Sequence, residues 1–245
     1  MNRRIRSLLL LAIGPCAFAS AQDMQEKRLR QALDDVRAHL EAAPLQAVSA
    51  DLDITSVSAK DGASRTEHVH QAAGAGRTFV SGDRFSSYQD AQARVVVMED
   101  DKVVYIYDQL PGNDKPTMDN WGRAREELLK RGQITTFQET VRGTDSLLTA
   151  EITLREPEQG THLQRVRFVV DLRGHSLRSV LLIYAEGGPL RTQRYDYRTL
   201  TTGTLDPALE QSALAHVYAG GKPLPRFRDH RIVDLRQRST RHAHR

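Results

Sequence analysis

The amino-acid sequence predicts an α+β fold built on an antiparallel β-sheet. Two stretches place apolar residues at the three- and four-residue steps of an amphipathic helix, whereas most of the remaining chain consists of short β-branched and aromatic runs. Most of these runs are separated by short turns, which join antiparallel neighbours. The order helix, sheet, helix, sheet predicts packed layers rather than alternating βαβ units.

The first element is a leader at residues 1–21. It begins with arginines, continues with an apolar stretch at residues 8–18, and ends with small residues at Ala21. This is the pattern of a secretory signal peptide. The apolar stretch is interrupted by Gly14 and Pro15 and is shorter than the roughly 20 apolar residues of a membrane span. We therefore expect export to the periplasm, with cleavage after Ala21.

Removal of the leader would change the composition of the protein. Cys16 is the only cysteine, so the mature chain would have no disulfide, no thiol nucleophile and no cysteine-bound zinc. The leader contains three arginines and no acidic residue, so the net charge would fall from +4 to +1. Seven arginines and two aspartates lie at residues 226–245, which leaves residues 22–225 mildly acidic. This distribution argues against a nucleic-acid partner.

We expect one domain over residues 22–236, followed by a basic disordered tail at residues 237–245. Any contact of this tail with an anionic membrane would be peripheral at most.

Two amphipathic helices are predicted within the domain. The first covers residues 26–42 and stops before Pro44. Its apolar stripe consists of Leu29, Leu33, Val36 and Leu40. The second covers residues 117–130, has Trp121 on its apolar side and ends at Gly132.

The strands are predicted from two-residue alternation and from β-branched runs. The first of them alternates apolar and polar residues along its whole length, and the last long run forms a meander closed by glycine-containing turns. The predicted strands cover residues 47–57, 64–71, 77–81, 84–89, 93–98, 103–107, 134–141, 146–154, 163–172, 177–185, 190–200 and 231–235.

The order of these elements carries a family resemblance. The features concerned are the helix after the leader, the strand at residues 49–54, the hairpin at 95–107, the meander at 165–200, the Leu-Asp-Pro-Ala-Leu segment at 205–209, the Lys-Pro turn at 221–225 and the last strand. Together they resemble the outer-membrane lipoprotein carrier (LolA-like) superfamily, in particular its uncharacterised lipoprotein-sorting members of Bacteroidetes type. The resemblance implies a curved antiparallel sheet that forms an unclosed half-barrel covered by helices, with an apolar cavity for acyl chains.

Apolar faces of two strand pairs are candidates for the wall of such a cavity. The candidate ligand-binding residues are Val104, Ile106, Trp121, Val166, Phe168 and Val170. Alternation places the strand residues of each group on one face of their own strand. Each face either lines a ligand cavity or belongs to a packed core, and the sequence leaves both interpretations open.

No catalytic, metal or cofactor centre is predicted. His68 and His70 share one face of a strand, but the spacing supplies no third metal ligand. The sequence contains no Gly-x-Ser-x-Gly elbow, and its Gly-Ala-Gly stretch at residues 74–76 lacks the lysine and the following helix of a phosphate loop. We therefore expect a protein that is not an enzyme and needs no cofactor.

The sequence thus predicts a periplasmic carrier that shelters the acyl chains of a lipid or lipoprotein. The alternative is a non-catalytic envelope sensor or protein-interaction module whose cavity is packed with its own side chains. An envelope protein is a possible partner in both cases.

Overall fold

The structure is a computed structural model. It describes residues 16–44, 47–108, 118–158 and 160–236. For residues 16–21 and 118–124 only the helical backbone is described. Most of the predicted leader and the whole predicted tail, residues 237–245, lie outside the described residues.

Two α-helices are present in the described part of the chain. Helix α1 covers Cys16–Glu41 and α2 covers Met118–Arg131. Both predicted helices are confirmed, although α1 begins earlier than the sequence pattern indicates. Neither described helix is long and apolar enough to cross a membrane.

Every predicted strand is present, with ends that differ by at most three residues. The strands are β1 (Val48–Ser58), β2 (Ser64–Gly74), β3 (Arg77–Ser81), β4 (Phe85–Gln89), β5 (Ala93–Met98), β6 (Val103–Asp108), β7 (Gly132–Arg142), β8 (Asp145–Leu154), β9 (Leu163–Asp171), β10 (Ser176–Tyr184), β11 (Leu190–Thr202), β12 (Tyr218–Ala219), β13 (Lys222–Pro223) and β14 (Arg231–Asp234).

Twelve of the described strands form one sheet, in the order β14-β6-β5-β4-β3-β2-β1-β11-β10-β9-β8-β7. Neighbours are antiparallel, except that β14 runs parallel to β6. Pairing of β1 with β11 joins the two halves of the sheet. Strands β7 and β14 remain at opposite ends, so the sheet is an unclosed half-barrel, and the predicted α+β fold class is confirmed. The remaining pair, β12 and β13, forms a small separate ladder.

The two helices pack on one face of β7–β10, which we call the helix face. Leu29 and Leu33 of α1 are fully buried there, and Leu129 of α2 is 6% exposed. The strand residues buried in this cluster are Leu148, Ala150, Ile152, Val166, Phe168 and Val170. Each large apolar side chain removed from water contributes about 1.5–3 kcal/mol, so this cluster holds both helices on the sheet.

The opposite face of β3–β6 is covered by residues 203–236, which we call the C-terminal segment. It contains the 3-10 turns Pro207–Leu209, Ala213–His216 and Pro225–Phe227. Its buried residues Ala213, Val217 and Phe227 pack against Tyr88, Val95, Val97, Val104 and Ile106. The sheet is therefore covered by helices in one half and by this irregular segment in the other.

Helix α2 passes into β7 without a loop at Gly132. A Cβ atom at this position would lie 2.3 Å from Cγ2 of Ile152 and 2.9 Å from the carbonyl oxygen of Leu128. Because neither distance is compatible with a side chain, glycine allows the end of the helix to lie directly against β8. This confirms the helix end that the sequence predicts.

Candidate functional site

A cavity of 530 Å³ lies on the central strands, on the same side of the sheet as the helix face and next to the area that the helices cover. We use the name helix face for this whole side of the sheet. It is lined by Leu52, Ile54, Ser56, Arg65, Glu67, Val69, Gln71, Val80, Phe85, Gln193, Tyr195 and Tyr197. These residues come from β1, β2, β3, β4 and β11, so the cavity exists only because β11 pairs with β1. Its volume is within the range of about 300–1,000 Å³ that is usual for small-molecule sites.

The strand register arranges the lining residues in rows across the sheet. One row, the polar row, consists of Gln193, Ser56 and Arg65. Another, the apolar row, consists of Tyr197, Leu52 and Val69. The two rows are four residues apart along β1, which corresponds to about 13 Å. The row of Tyr195, Ile54 and Glu67 lies between them. The cavity therefore has a polar end near the β1–β2 turn and a more apolar region further along β1, with Gln71 beyond it.

The polar end contains a hydrogen-bonded cluster. The hydroxyl groups of Tyr195 and Tyr184 both donate to Oε1 of Gln193, at 2.9 Å and 3.2 Å. Nε2 of Gln193 donates in turn to Oγ of Ser56 at 3.5 Å. Among the described residues, the Ser56 hydroxyl proton has no acceptor, and it can be donated to a ligand in the cavity.

Burial affects the ionisation of the tyrosines around this cluster. Burial raises the pKa of the hydroxyl groups of Tyr184, Tyr195 and Tyr197 above the ordinary tyrosine value. The charge of Tyr195 raises the pKa of Tyr184 and Tyr197 further. All three therefore stay neutral near pH 7 and act as hydrogen-bonding groups rather than as anions.

The candidate residues of β9 lie on the helix face, beneath the helices. Phe168 pairs with Val180, Val180 with Tyr195, and Tyr195 with Ile54. Directly paired residues share a face of the sheet, so Phe168 is on the same face as the cavity. It is nevertheless 6% exposed and packs within the cluster that contains α1.

The candidate residues of β6 lie on the other face. Ile106 belongs to the same cross-strand row as Phe79 of β3, whereas the next residue of β3, Val80, lines the cavity. Val104 and Ile106 are fully buried beneath the C-terminal segment. The structure thus does not bring the two groups of candidate residues together.

The ligand-binding role of the candidate residues stays a prediction. None of Val104, Ile106, Val166, Phe168 and Val170 lines the cavity. Trp121 is in α2, but its side chain lies outside the described part of the chain.

Sequence reasoning did not identify the residues that line the cavity. Leu52 and Ile54 belong to the alternating strand that the sequence predicts, and this alternation correctly indicates a buried face. It gives no information on which distant strand lies beside β1. That partner, β11, is more than 130 residues away along the chain.

On the face opposite the cavity, His70 connects the sheet to the C-terminal segment. Its Nδ1 lies 2.7 Å from Oδ1 of Asp51, and its Nε2 lies 2.8 Å from Oδ2 of Asp206. Asp206 also caps the 3-10 turn Pro207–Leu209 by accepting from the backbone of Ala208. Among the described residues, no group of three or more His, Cys, Asp or Glu side chains is arranged to hold a metal ion. The two hydrogen bonds make His70 a link between β1, β2 and the C-terminal segment.

The ionisation of this link depends on its two aspartates. Burial opposes protonation of His70, but the hydrogen bonds to Asp51 and Asp206 outweigh it and raise the pKa of His70. Hydrogen bonds from Thr199 and His70 lower the pKa of Asp51. Both shifts favour a protonated imidazole between carboxylates.

The replacement His70→Gln is expected to destabilise the protein in a pH-dependent way. A raised folded pKa stabilises below the unfolded histidine value of about 6.5, and this contribution disappears as the pH rises through the folded pKa. The lowered pKa of Asp51 contributes above about pH 3.9 and is lost as the pH falls through its folded value. The difference in free energy of unfolding between the wild type and His70→Gln should therefore be larger at pH 5.5 than at pH 8.5 in urea titrations. The control is His39→Gln, because His39 is exposed on α1 and has no ion pair among the described residues.

Comparison with known proteins gives matches among solved structures alone. No protein-family model matches the sequence, and no curated protein is significantly similar to it. An uncharacterised conserved protein from Thermus thermophilus is 9% identical, with 84% of this chain and 99% of that chain covered and a TM-score of 0.47. A LolA superfamily protein from Nitrosomonas europaea is 11% identical, with 75% and 97% covered and a TM-score of 0.31.

A third similar structure is the MucA/MucB complex of Pseudomonas aeruginosa. Its matching chain is 16% identical, with 79% of this chain and 63% of that chain covered and a TM-score of 0.35. The chain therefore spans less than two thirds of that protein. The Nitrosomonas europaea protein among these structures is named as a member of the LolA superfamily. Because all three TM-scores are below 0.5, the fold assignment depends on the strand order described above.

Proposed function

We propose that this protein is a periplasmic carrier that shelters acyl chains of a lipid or lipoprotein in the cavity on its helix face. The apolar floor of the cavity carries the proposal. It consists of Leu52, Ile54, Val69, Val80 and Phe85. Three of these side chains are only half-buried, so they can contact a ligand. Each methylene group buried there would gain about 0.8 kcal/mol, and such binding requires no covalent chemistry.

The leader pattern supports the proposed location. Residues 1–21 have the charged start, short apolar stretch and small terminal residues of an exported protein. A carrier in the periplasm would exchange its ligand with a membrane or with an envelope protein.

A second candidate function is a non-catalytic envelope sensor or protein-interaction module. The packing of the predicted cavity faces favours it, because Val104 and Phe168 are both buried in the protein's own core. In such a module the 530 Å³ cavity would remain without a lipid.

Two measurements on the purified protein separate these functions. Native mass spectrometry of protein isolated from its own envelope should show a bound acyl species if the protein is a carrier. Titration with N-phenyl-1-naphthylamine, an uncharged fluorescent probe, should show saturable uptake. A protein that carries no lipid and takes up no probe would contradict the carrier function.

The variant Val80→Trp is expected to weaken probe uptake by at least about tenfold. Val80 is half-buried and lines the cavity, so an indole ring at this position would occupy the space of the ligand. The fold should tolerate the change because the added bulk enters a cavity rather than a filled core. The measurement is the fluorescence titration, with the urea midpoint recorded in parallel.

Leu181→Trp is the matched control. Leu181 is also half-buried in a strand, but it pairs with Arg167 and Arg194 on the face opposite the cavity. The Leu181→Trp variant should take up the probe as well as the wild type does. If both variants take up the probe as well as the wild type does, the probe binds elsewhere. That result would contradict the proposal that the cavity is the binding site.

A further inference from the structure

We propose that the cavity takes a single acyl chain with a carboxylate head group, a free fatty acid, with its head at the polar row and its methyl end at the apolar row. This inference depends on the proposed binding function and specifies its ligand. It follows from the size of the cavity, from its polarity gradient and from the charged groups at its polar end.

The size of the cavity corresponds to one chain. A volume of 530 Å³ lies in the middle of the range of about 300–1,000 Å³ of small-molecule sites. A single acyl chain is a ligand of this size class.

The polarity gradient orients this chain. Leu52 and Val69 of the apolar row are 3% and 5% exposed, so the methyl end gains most by lying against them. The polar row lies about 13 Å away along β1. A head group at the polar row would stay close to solvent, because Arg65 in that row is exposed.

The polar row offers hydrogen-bond donors for a carboxylate. Among the described residues, Arg65 has neither an ion pair nor a hydrogen-bond partner, so its guanidinium can bind an anion. The free hydroxyl proton of Ser56 lies beside it, since the two residues pair directly across β1 and β2. Gln193 pairs with Ser56 on the other side of β1. One hydrogen of its Nε2 is donated to Ser56, and the second can be donated to a carboxylate. A carboxylate accepts from all three donor types.

Glu67 is the acidic group that lines the cavity. Its Oε1 approaches Gly82, at 2.7 Å from the position that a Cβ atom of this glycine would occupy. Gly82 follows β3, on the far side of β2 from Gln193. The Glu67 carboxylate is therefore directed away from Ser56 and Gln193, whereas Arg65 is its neighbour on the same face of β2. Its charge opposes a bound anion.

The test compares palmitate with 1-hexadecanol, which has the same chain and an uncharged head. Each is titrated against protein that holds the naphthylamine probe. We expect wild-type protein to bind one palmitate and to prefer it over the alcohol by at least roughly tenfold, as for one charge-assisted hydrogen bond. Arg65→Gln should remove most of this preference and leave hexadecanol binding unchanged. Arg194→Gln, an exposed arginine on the opposite face, should keep it.

A second variant changes the affinity in the opposite direction. Glu67→Gln removes the opposing charge, so it should strengthen palmitate binding about two- to threefold without affecting hexadecanol. Equal affinity of wild-type protein for both ligands, unchanged by Arg65→Gln, would overturn the carboxylate inference and leave the carrier function intact. Failure of both ligands and of the probe to bind would instead overturn the carrier function itself.

Discussion

Replacement of Phe168 by alanine is expected to lower the free energy of unfolding by about 3–5 kcal/mol. Phe168 is 6% exposed and packs in the cluster that holds α1 on the sheet. Truncation removes the transfer free energy of the ring and leaves a cavity beneath the helix that neighbouring side chains fill incompletely. Urea unfolding monitored by circular dichroism measures this loss.

Val169→Ala provides the matched control. Val169 is the next residue of β9, is half-buried and points to the opposite face. Its truncation should cost less than about 1.5 kcal/mol. The comparison therefore separates removal of core packing from any general effect of shortening a side chain in β9.

The Phe168→Ala variant also distinguishes a core residue from a residue that contacts the ligand. If Phe168 belongs to the core, the fraction of protein that remains folded should take up the fluorescent probe as the wild type does. If the variant is as stable as the wild type and has lost uptake, Phe168 instead lines the ligand site, as the sequence alone allows.

Local structure was the part of this fold that could be predicted from the sequence. Strand β3, Arg77–Ser81, has the predicted ends, and both strands of the Ala93–Asp108 hairpin are present. These elements are determined by β-branched runs and by turns within a few residues of one another. The fold class followed from the same local information, because short turns imply antiparallel neighbours.

The cavity could not be predicted, because it depends on contacts between distant parts of the chain. Ser56 and Gln193 lie side by side only after β1 has paired with β11. Two-residue alternation assigns residues to a face of their own strand, but the face that is shared across a sheet depends on every intervening pairing. This is why Val104 and Phe168, similar in their strand patterns, lie on opposite sides of the sheet.

The cover over the β6 side was also not evident in the sequence. Residues 203–236 contain 3-10 turns and proline rather than a helical repeat, so they have no periodic pattern to indicate a buried face. Their buried side chains, such as Val217 and Phe227, cover a face of the sheet for which neither the sequence pattern nor the resemblance indicates a cover. A short irregular segment can do this because each anchoring residue packs individually into the sheet.

Phe227→Ala is expected to release this cover, at a cost of about 3–5 kcal/mol. Phe227 is 2% exposed and packs in the cluster that contains Val104 and Ile106. Its ring also contacts the guanidinium of Arg226, 4.5 Å from the centroid, and the His230 ring at a centroid distance of 5.2 Å. The nearby exposed Arg228, replaced by alanine, should change stability by no more than about 0.5 kcal/mol.

Hydrogen exchange shows how far the unfolding extends in Phe227→Ala. Strand β14 follows this anchor and has β6 as its partner in the described sheet, so its amides at residues 231–234 should exchange faster than those of β8 and β9. Release of the C-terminal segment alone would open β14 and the outer edge of β6 while α1 stays on the helix face. Uniform acceleration across all strands would show that the two faces of the sheet unfold as one unit. In that case a ligand bound on the helix face would also stabilise the C-terminal segment, and addition of palmitate should slow exchange at β14.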